Sequence, residues 1–303
     1  MEKLTSLKGI IEQAKINGPV KTAIVAPYDL ATISAVQEGV SEGLIKAELF
    51  GDKKRIEQVF ADNGIPPFDM TIYDCSEGAV QAAIDSIREN RNRLLMKGSV
   101  STSTLMQACL DKSKGLNIGK ICSHIIVCEI PGWDRLLIIS DGGLNVLPSV
   151  DQKVDIVRNV IQLAHSIGIM EPKVAILASS EEVSFKIPAN VDAAILTQMS
   201  RRGQIKGAIV DGPLALDNIV VEAAAKKKNI VSDVAGKADA IIVPNIETGN
   251  ALGKSLGYFA GSINAGIVLG AAVPIILPSR AGKPEAKWGS LALGALVTNA
   301  KEE

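Results

Sequence analysis

Short β-branched runs alternate with longer segments of helical period along nearly the whole chain, and no other feature restricts its fold as strongly. The series opens with a helical pattern over residues 3–17, a strand over 21–26 and a second helix ending near Gly43. It continues with a strand at 45–51, a polar helix at 53–63, a strand at 69–73 and a helix at 76–90. Leu94 and Leu95 then run into Met96-Lys97-Gly98. Such alternation predicts a mostly parallel sheet with helices on both faces, because right-handed crossovers need a helix between consecutive parallel strands. A second series begins near Cys122, with strands at 123–128, 136–140, 173–177, 208–211 and 240–243, each expected to be followed by a turn and a helix. A short strand at 273–277 precedes a last helix at 285–300, the natural candidate to pack back on the first domain.

The 303 residues allow two domains of about 150 residues, each able to bury a full core. A chain with 47% hydrophobic and 21% charged residues is not disordered. Lys and Arg number 32 against 33 Asp and Glu, a net charge of −1, so there is no electrostatic footprint for a nucleic acid or an anionic membrane, and a small-molecule ligand is expected. Aromatic residues make up only 3%, which leaves few stacking platforms for bases and a core of Ala, Val, Ile and Leu. Residues 1–21 lack an apolar signal core, and a cytoplasmic protein is expected. The apolar stretch 257–278 is broken by Asn264, several glycines and Pro274, and reads as a helix followed by a strand rather than a membrane span. Cys75, Cys109, Cys122 and Cys128 share no CxxC spacing and read as buried reduced thiols.

Several clusters suit an anionic ligand. Phosphoryl groups are held by guanidinium forks and by backbone amides at glycine turns or helix N-termini. Ser279-Arg280 follows an apolar strand and precedes a Gly- and Pro-containing turn and a helix. It therefore belongs at the carboxyl end of a strand, where open α/β sheets place ligands; taken alone, Arg280 reads as a surface cation. Asp211-Gly212-Pro213 is read as a strand end whose turn brings backbone near the ligand, with Asp217 capping the next helix as the structural alternative. Glu247-Thr248-Gly249-Asn250 opens another helix, whose amides could meet phosphate. The stretch 248–255 misses the P-loop pattern, because Thr stands where its first Gly belongs. Lys97-Gly98 with Ser101, Thr102 and Thr104 forms a further cluster, in which helix capping by Thr102 or Thr104 competes with ligand contact. His124 reads either as a hydrogen-bonded core residue or as a base, and His165 as a helix residue. No GxSxG elbow, HExxH pair or Cys/His couple is present, which disfavours a covalent acyl-enzyme.

Phrases strung along the chain resemble the phosphate acetyl/butyryl-transferase family, most closely its butyryl branch. They are Met96-Lys97-Gly98-Ser99-Val100-Ser101-Thr102, Ser123-His124, Asp141-Gly142-Gly143-Leu144-Asn145, Pro172-Lys173-Val174-Ala175-Ile176-Leu177 and Arg202-Gly203-Gln204-Ile205. Asp211-Gly212-Pro213-Leu214-Ala215-Leu216-Asp217, Val243-Pro244-Asn245-Ile246-Glu247-Thr248-Gly249-Asn250 and Pro278-Ser279-Arg280 complete the set in family order. The resemblance implies a two-domain α/β fold like that of isocitrate and isopropylmalate dehydrogenases, with mostly parallel sheets and an active site in the interdomain cleft. The domains would be 1–127 plus 279–303, and 128–278. It further implies direct exchange of a short-chain acyl group, butyryl preferred, between coenzyme A and phosphate in a ternary complex, with no metal or resident cofactor, in a homodimer. An acetyl-preferring enzyme is the alternative; a metal-dependent decarboxylating dehydrogenase on the same fold, or a non-catalytic ligand-binding subunit, would be the more distant ones. By this resemblance Arg280 would neutralise phosphate and Ser279 would donate to the developing oxyanion. Lys97, Thr102, Thr104, His124, Asp211, Gly212, Gly249 and Asn250 would contact phosphate or coenzyme A. In the acetyl branch an aspartate seven positions after the serine serves as base; here that position is Ala286, and Glu285 is the nearest carboxylate.

Overall fold

The computed structural model describes residues 2–278 and 284–300. The chain runs through α1 (Leu7–Asn17), β1 (Val20–Val25), α2 (Leu30–Ser41), β2 (Ile45–Gly51), α3 (Lys53–Asn63), β3 (Met70–Asp74), α4 (Ala79–Arg88), β4 (Leu94–Lys97) and α5 (Thr102–Cys109). Then come β5 (Ser123–Glu129), β6 (Leu136–Ser140), α6 (Val150–Ser166), β7 (Lys173–Leu177), α7 (Pro188–Arg201), β8 (Ile209–Leu214), α8 (Leu216–Val220) and α9 (Glu222–Lys227). The order closes with β9 (Ala240–Ile242), α10 (Ile246–Phe259), β10 (Ile263–Leu269), β11 (Ile275–Ile276) and α11 (Pro284–Asn299). This is a mixed α/β fold with mostly parallel strands, as the alternation predicts. No helix among the described residues is long and apolar enough to cross a membrane.

Two compact units divide the chain: Leu7–Lys120 with Ala265–Glu303, and Ile121–Asn264 with Met1–Ser6. The boundary expected at 127/128 would fall inside β5, whose residues pair with β6 from Ile125 opposite Ser140 to Glu129 opposite Leu136. The one expected at 278/279 lies beyond β11, whose Ile275 and Ile276 pair with Leu95 and Met96 of β4.

In the first unit the strand order is β3-β2-β1-β4-β11-β10, all parallel except β10, which runs antiparallel to β11. All four β4 positions are buried, the mark of a parallel strand covered on both faces. The polar α3 starts on Asp52, whose side chain accepts the Arg55 amide, and stops on Gly64 in the left-handed conformation at φ 60°, where a side chain would be strained. The last helix, α11, packs against α1 and α2. Gly289 permits the approach, since a Cβ there would sit 3.1 Å from Ala265 Cβ and 3.3 Å from a Leu7 methyl.

The second unit has the order β5-β6-β9-β7-β8. Leu137 and Ile139 of β6, Ala175 and Leu177 of β7 and Ile241 of β9 share one face, the period-two spacing that puts alternate side chains into one core. A capping box opens α6: Ser149 Oγ accepts the Gln152 amide at 3.3 Å and Gln152 Oε1 accepts the Ser149 amide at 2.9 Å.

Three local expectations are corrected. β5 is not followed by a helix but turns through Pro131-Gly132 into antiparallel β6, with Gly132 at φ 83°. The stretch after α10 holds an additional strand, β10, reached through Gly261 at φ 70°. The first helix begins at Leu7 rather than Lys3, because Lys3 and Leu4 bond to Asp239 (2.9 Å) and to the Ile167 carbonyl (3.0 Å).

Candidate active site

Within the first unit the chain lays down β1, β2 and β3 in one direction and then crosses to the other side of β1 to form β4. The carboxyl ends of β1 and β4 therefore flank a crevice where the winding reverses, the position at which open α/β sheets bind ligands. Gly98 closes the floor of this crevice. Its amide donates to the Val25 carbonyl at 2.8 Å, and the next amide, Ser99, donates to the Ala26 carbonyl at 2.7 Å. Both helices that follow these strands begin at the same end. Asp29 caps α2 by accepting the Thr32 amide at 2.8 Å, and Ser101 caps α5 by accepting the Thr104 amide at 3.0 Å.

A cavity of about 440 Å³ lies here, lined by Lys97, Gly98 and Ser99 at the end of β4, Asp29 and Thr32 at the start of α2, and Lys287 from α11. Ala31, Met96 and Pro278 add apolar wall. Lys97 is buried and donates through Nζ to the carbonyls of Gly98 (3.0 Å) and Val100 (3.2 Å), which fixes the loop between β4 and α5. Asp29 accepts three hydrogen bonds: its Oδ1 takes the Thr32 amide, and its Oδ2 takes the hydroxyls of Thr32 (2.9 Å) and Ser99 (2.8 Å). Burial pushes its carboxyl up, but the bonds from Ser99 and Thr32 and the charge of Lys287 outweigh that and leave it below its ordinary value.

Of the residues singled out from sequence, Lys97 lies in this cavity. Thr102 and Thr104 are exposed in the first turn of α5; neither is the cap, a role Ser101 takes. Glu285 is exposed in the first turn of α11, a place favourable to any carboxylate through the helix dipole. Ser279 and Arg280 lie outside the described residues. Asp29, Ser99 and Lys287 escaped the sequence reading as ligand residues. Asp29-Leu30-Ala31-Thr32 does carry a cap pattern, but nothing local ties it to β4 or α11.

The second unit gathers His124, Gly249 and Asn250. Asp141 is buried at the end of β6 and accepts the amides of Gly143 (2.8 Å), Leu144 (3.0 Å) and Asn145 (3.3 Å) and the Asn145 side chain (2.6 Å). This fixes the loop 141–145 against α10. A Cβ on Gly249 would collide with the Asp141 carbonyl oxygen, and Asn250 Nδ2 donates to the Gly142 carbonyl at 3.4 Å. Gly143 lies against the His124 ring, where a Cβ would be 3.0 Å from Nδ1. That nitrogen is buried and finds no hydrogen-bond partner among the described residues. Burial pushes the ring below its ordinary value, against a smaller upward pull from Asp141. His165 bonds through Nε2 to the Gly207 carbonyl at 2.9 Å.

Asp211 and Gly212 are not with this group. β8 continues through Gly212-Pro213 to Leu214, so these residues are strand interior with an irregular register against β7, not a turn. Asp211 faces Arg201 at 3.9 Å, and the Gly212 carbonyl accepts the Thr197 hydroxyl at 3.0 Å. Asp217 does not cap α8; Ala215 holds that position without a side-chain bond.

The four cysteines are thiols engaged in no disulfide. Cys109, Cys122 and Cys128 are buried and Cys75 is half-buried. Burial pushes the Cys122 thiol up to about 11, aided by the Asp141 charge, and Cys128 up to about 12, so both stay protonated and poorly nucleophilic. Among the described residues no three His, Cys, Asp or Glu side chains gather to hold a metal ion.

The family model described as phosphate acetyl/butaryl transferase matches residues 76–295. The chain is 40% identical over 300 residues to a phosphate butyryltransferase of Clostridium acetobutylicum, covering 98% of this chain and 100% of the relative. It is 41% identical over 292 residues to a phosphate acetyltransferase of Thermotoga maritima, covering 96% and 99%. Among solved structures, a branched-chain phosphotransacylase from Enterococcus faecalis V583 superposes with a TM-score of 0.79 at 26% identity, over 92% of this chain and 99% of that one.

Proposed function

This chain belongs to the phosphate acetyl/butyryl transferase family, and from that premise we propose that its phosphate acyltransferase activity prefers butyryl or branched short-chain acyl groups and proceeds by direct transfer in a ternary complex. The observation that carries the reading is the cavity between β1 and β4. It joins two lysines and a helix N-terminus, suited to phosphate, with an apolar wall of Ala31, Met96 and Pro278, suited to a short hydrocarbon chain. Burying the two methylenes that separate butyryl from acetyl is worth about 1.6 kcal/mol, roughly a tenfold preference in kcat/KM. Direct transfer is supported by the burial of Cys122 and Cys128, whose raised thiols are poor nucleophiles for an acyl-enzyme. Ser279 and Arg280 are proposed to bind the transferred phosphate, with coenzyme A thioester and phosphate as substrates and no resident cofactor or metal.

Thiol release from acetyl-, butyryl- and isobutyryl-CoA, with and without phosphate and with chelator, tests this. Phosphate-dependent release fastest with butyryl-CoA and unaffected by chelator is expected. Arg280→Ala should raise the KM for phosphate and lower turnover together, a loss of about 1.5–3 kcal/mol. A second reading, preference for acetyl-CoA, is favoured by the 41% identity to the Thermotoga maritima acetyltransferase, and a higher kcat/KM for acetyl-CoA would establish it. A cytoplasmic homodimer is the proposed form of the protein, and light scattering should give twice the chain mass of 31.8 kDa.

A further inference from the structure

Among the described residues, the charged groups lining the cavity are two ammonium groups, Lys97 and Lys287, and one carboxylate, Asp29. Asp29 is committed on both oxygens to Thr32 and Ser99, and it is held ionised. A carboxylate in that condition is a poor acceptor for the proton of a thiol, whose unperturbed pKa is about 8.5. Lys97 aims its ammonium at the Gly98 and Val100 carbonyls and thereby holds the loop in shape. Lys287, from the start of α11, sets its charge against Asp29 across the same cavity. This wall is built to hold an anion rather than to remove a proton.

We propose that Lys287 is a catalytic residue that stabilises the coenzyme A thiolate, which makes a carboxylate base unnecessary. The proposal rests on the reading of this cavity as the site of acyl transfer. When the thioester is consumed, a phosphate oxygen bonds to the carbonyl carbon and the C–S bond breaks. Its electron pair leaves on sulfur as a thiolate that the Lys287 ammonium neutralises, and the phosphate proton passes to solvent. In reverse, the coenzyme A thiol loses its proton to solvent, the thiolate attacks the acyl phosphate carbon, and phosphate departs with the C–O electron pair. A neighbouring cation lowers a thiol pKa and so raises the thiolate fraction at neutral pH. Among the described residues, the other charges around Lys287 are Asp29 at the cap of α2, Lys97 on β4 and exposed Glu285 on its own helix. On α1, which meets α11 through Leu7 and Gly289, Lys15 is engaged by Glu12 and Glu42.

The test is the pH dependence of kcat for thioester formation from acyl phosphate and coenzyme A, which reports groups in the bound complex. Wild type, Lys287→Met and Lys287→Arg are compared from pH 6 to 9.5, with melting temperatures to confirm folding. The Met variant should shift the ascending limb, set by thiol ionisation, up by about one unit, losing roughly tenfold at pH 7 and recovering above pH 9, while the Arg variant keeps the wild-type limb. A Met profile that overlays wild type, or one lowered equally at every pH, overturns the role of Lys287 alone. So does equal impairment of Met and Arg. If the Met variant loses its cooperative melting transition, Lys287→Gln is compared in its place. A folded wild type that transfers no acyl group in either direction overturns the underlying reading and the role with it.

Discussion

Replacing Gly98 with alanine tests how the cavity is assembled. A Cβ at this position would lie 2.5 Å from the carbonyl oxygens of both Val25 and Ala26 and 2.8 Å from the Ala26 carbonyl carbon. All three are main-chain atoms at the end of β1, which cannot rotate aside as a flexible side chain would. Relief requires the ends of β1 and β4 to part, at the expense of the bonds from the Gly98 and Ser99 amides at 2.8 and 2.7 Å. Each such bond contributes about 0.5–1.5 kcal/mol net, and overpacking costs about 1–3 kcal/mol, for a total of roughly 2–6 kcal/mol. With each kcal/mol worth about 2–4 °C in a unit of this size, Tm should fall by at least about 4 °C in calorimetry. Lys97 and Ser99 flank the substituted residue, so phosphate-dependent thiol release should fall more than about tenfold in protein still folded at 25 °C, as misplacing positioning groups by an ångström does. A Tm within about 1 °C of wild type would refute the close approach. A lowered Tm with full turnover would refute the placement of the chemistry in this cavity.

Two further outcomes follow from single carboxylates. Asp141→Ala leaves four donors in the 141–145 loop without their acceptor and should cost roughly 3–5 kcal/mol in urea unfolding; a loss below about 1 kcal/mol would show that water replaces the carboxylate without penalty. Asp29→Asn keeps a cap oxygen for the Thr32 amide while removing the charge and the Oδ2 acceptor, so that the Thr32 and Ser99 hydroxyls must turn to accept from the new amide group. Because the folded Asp29 value is depressed below 3.8, the wild-type advantage is fully present above that pH and disappears as pH falls through the lower folded value. Unfolding at pH 6 should therefore separate the two proteins, with the gap narrowing below pH 3.8; a gap independent of pH would contradict the assignment.

How far the sequence could be read depends on the range of the interaction that decides each feature. β2 and α3 form as their patterns predict, because an apolar strand run and an Asp cap with a following Gly stop are local signals. The β5–β6 hairpin carries a local signal too, Pro131-Gly132, but the parallel rhythm around it argued for a crossover helix. β10 was hidden because Asn264 and Gly266 interrupt its apolar run, and the strand is stabilised by pairing with β11 rather than by its own pattern. Pro213 reads locally as a turn, yet β8 stands at the edge of its sheet, where a missing N–H costs no ladder bond. The site divides along the same line. Lys97 and the glycine beside it announce themselves as a loop after a strand. Asp29 announces only a helix cap, and Lys287 only a polar residue near a helix start. What joins them is the reversal of winding between β1 and β4, together with the return of α11 to α1 and α2. No window of sequence contains that reversal, since it exists only once three crossovers have chosen their sides of the sheet. Chemistry placed at such a point is therefore least visible where its residues are farthest apart in the chain, and Lys287 is the residue to which this applies most strongly.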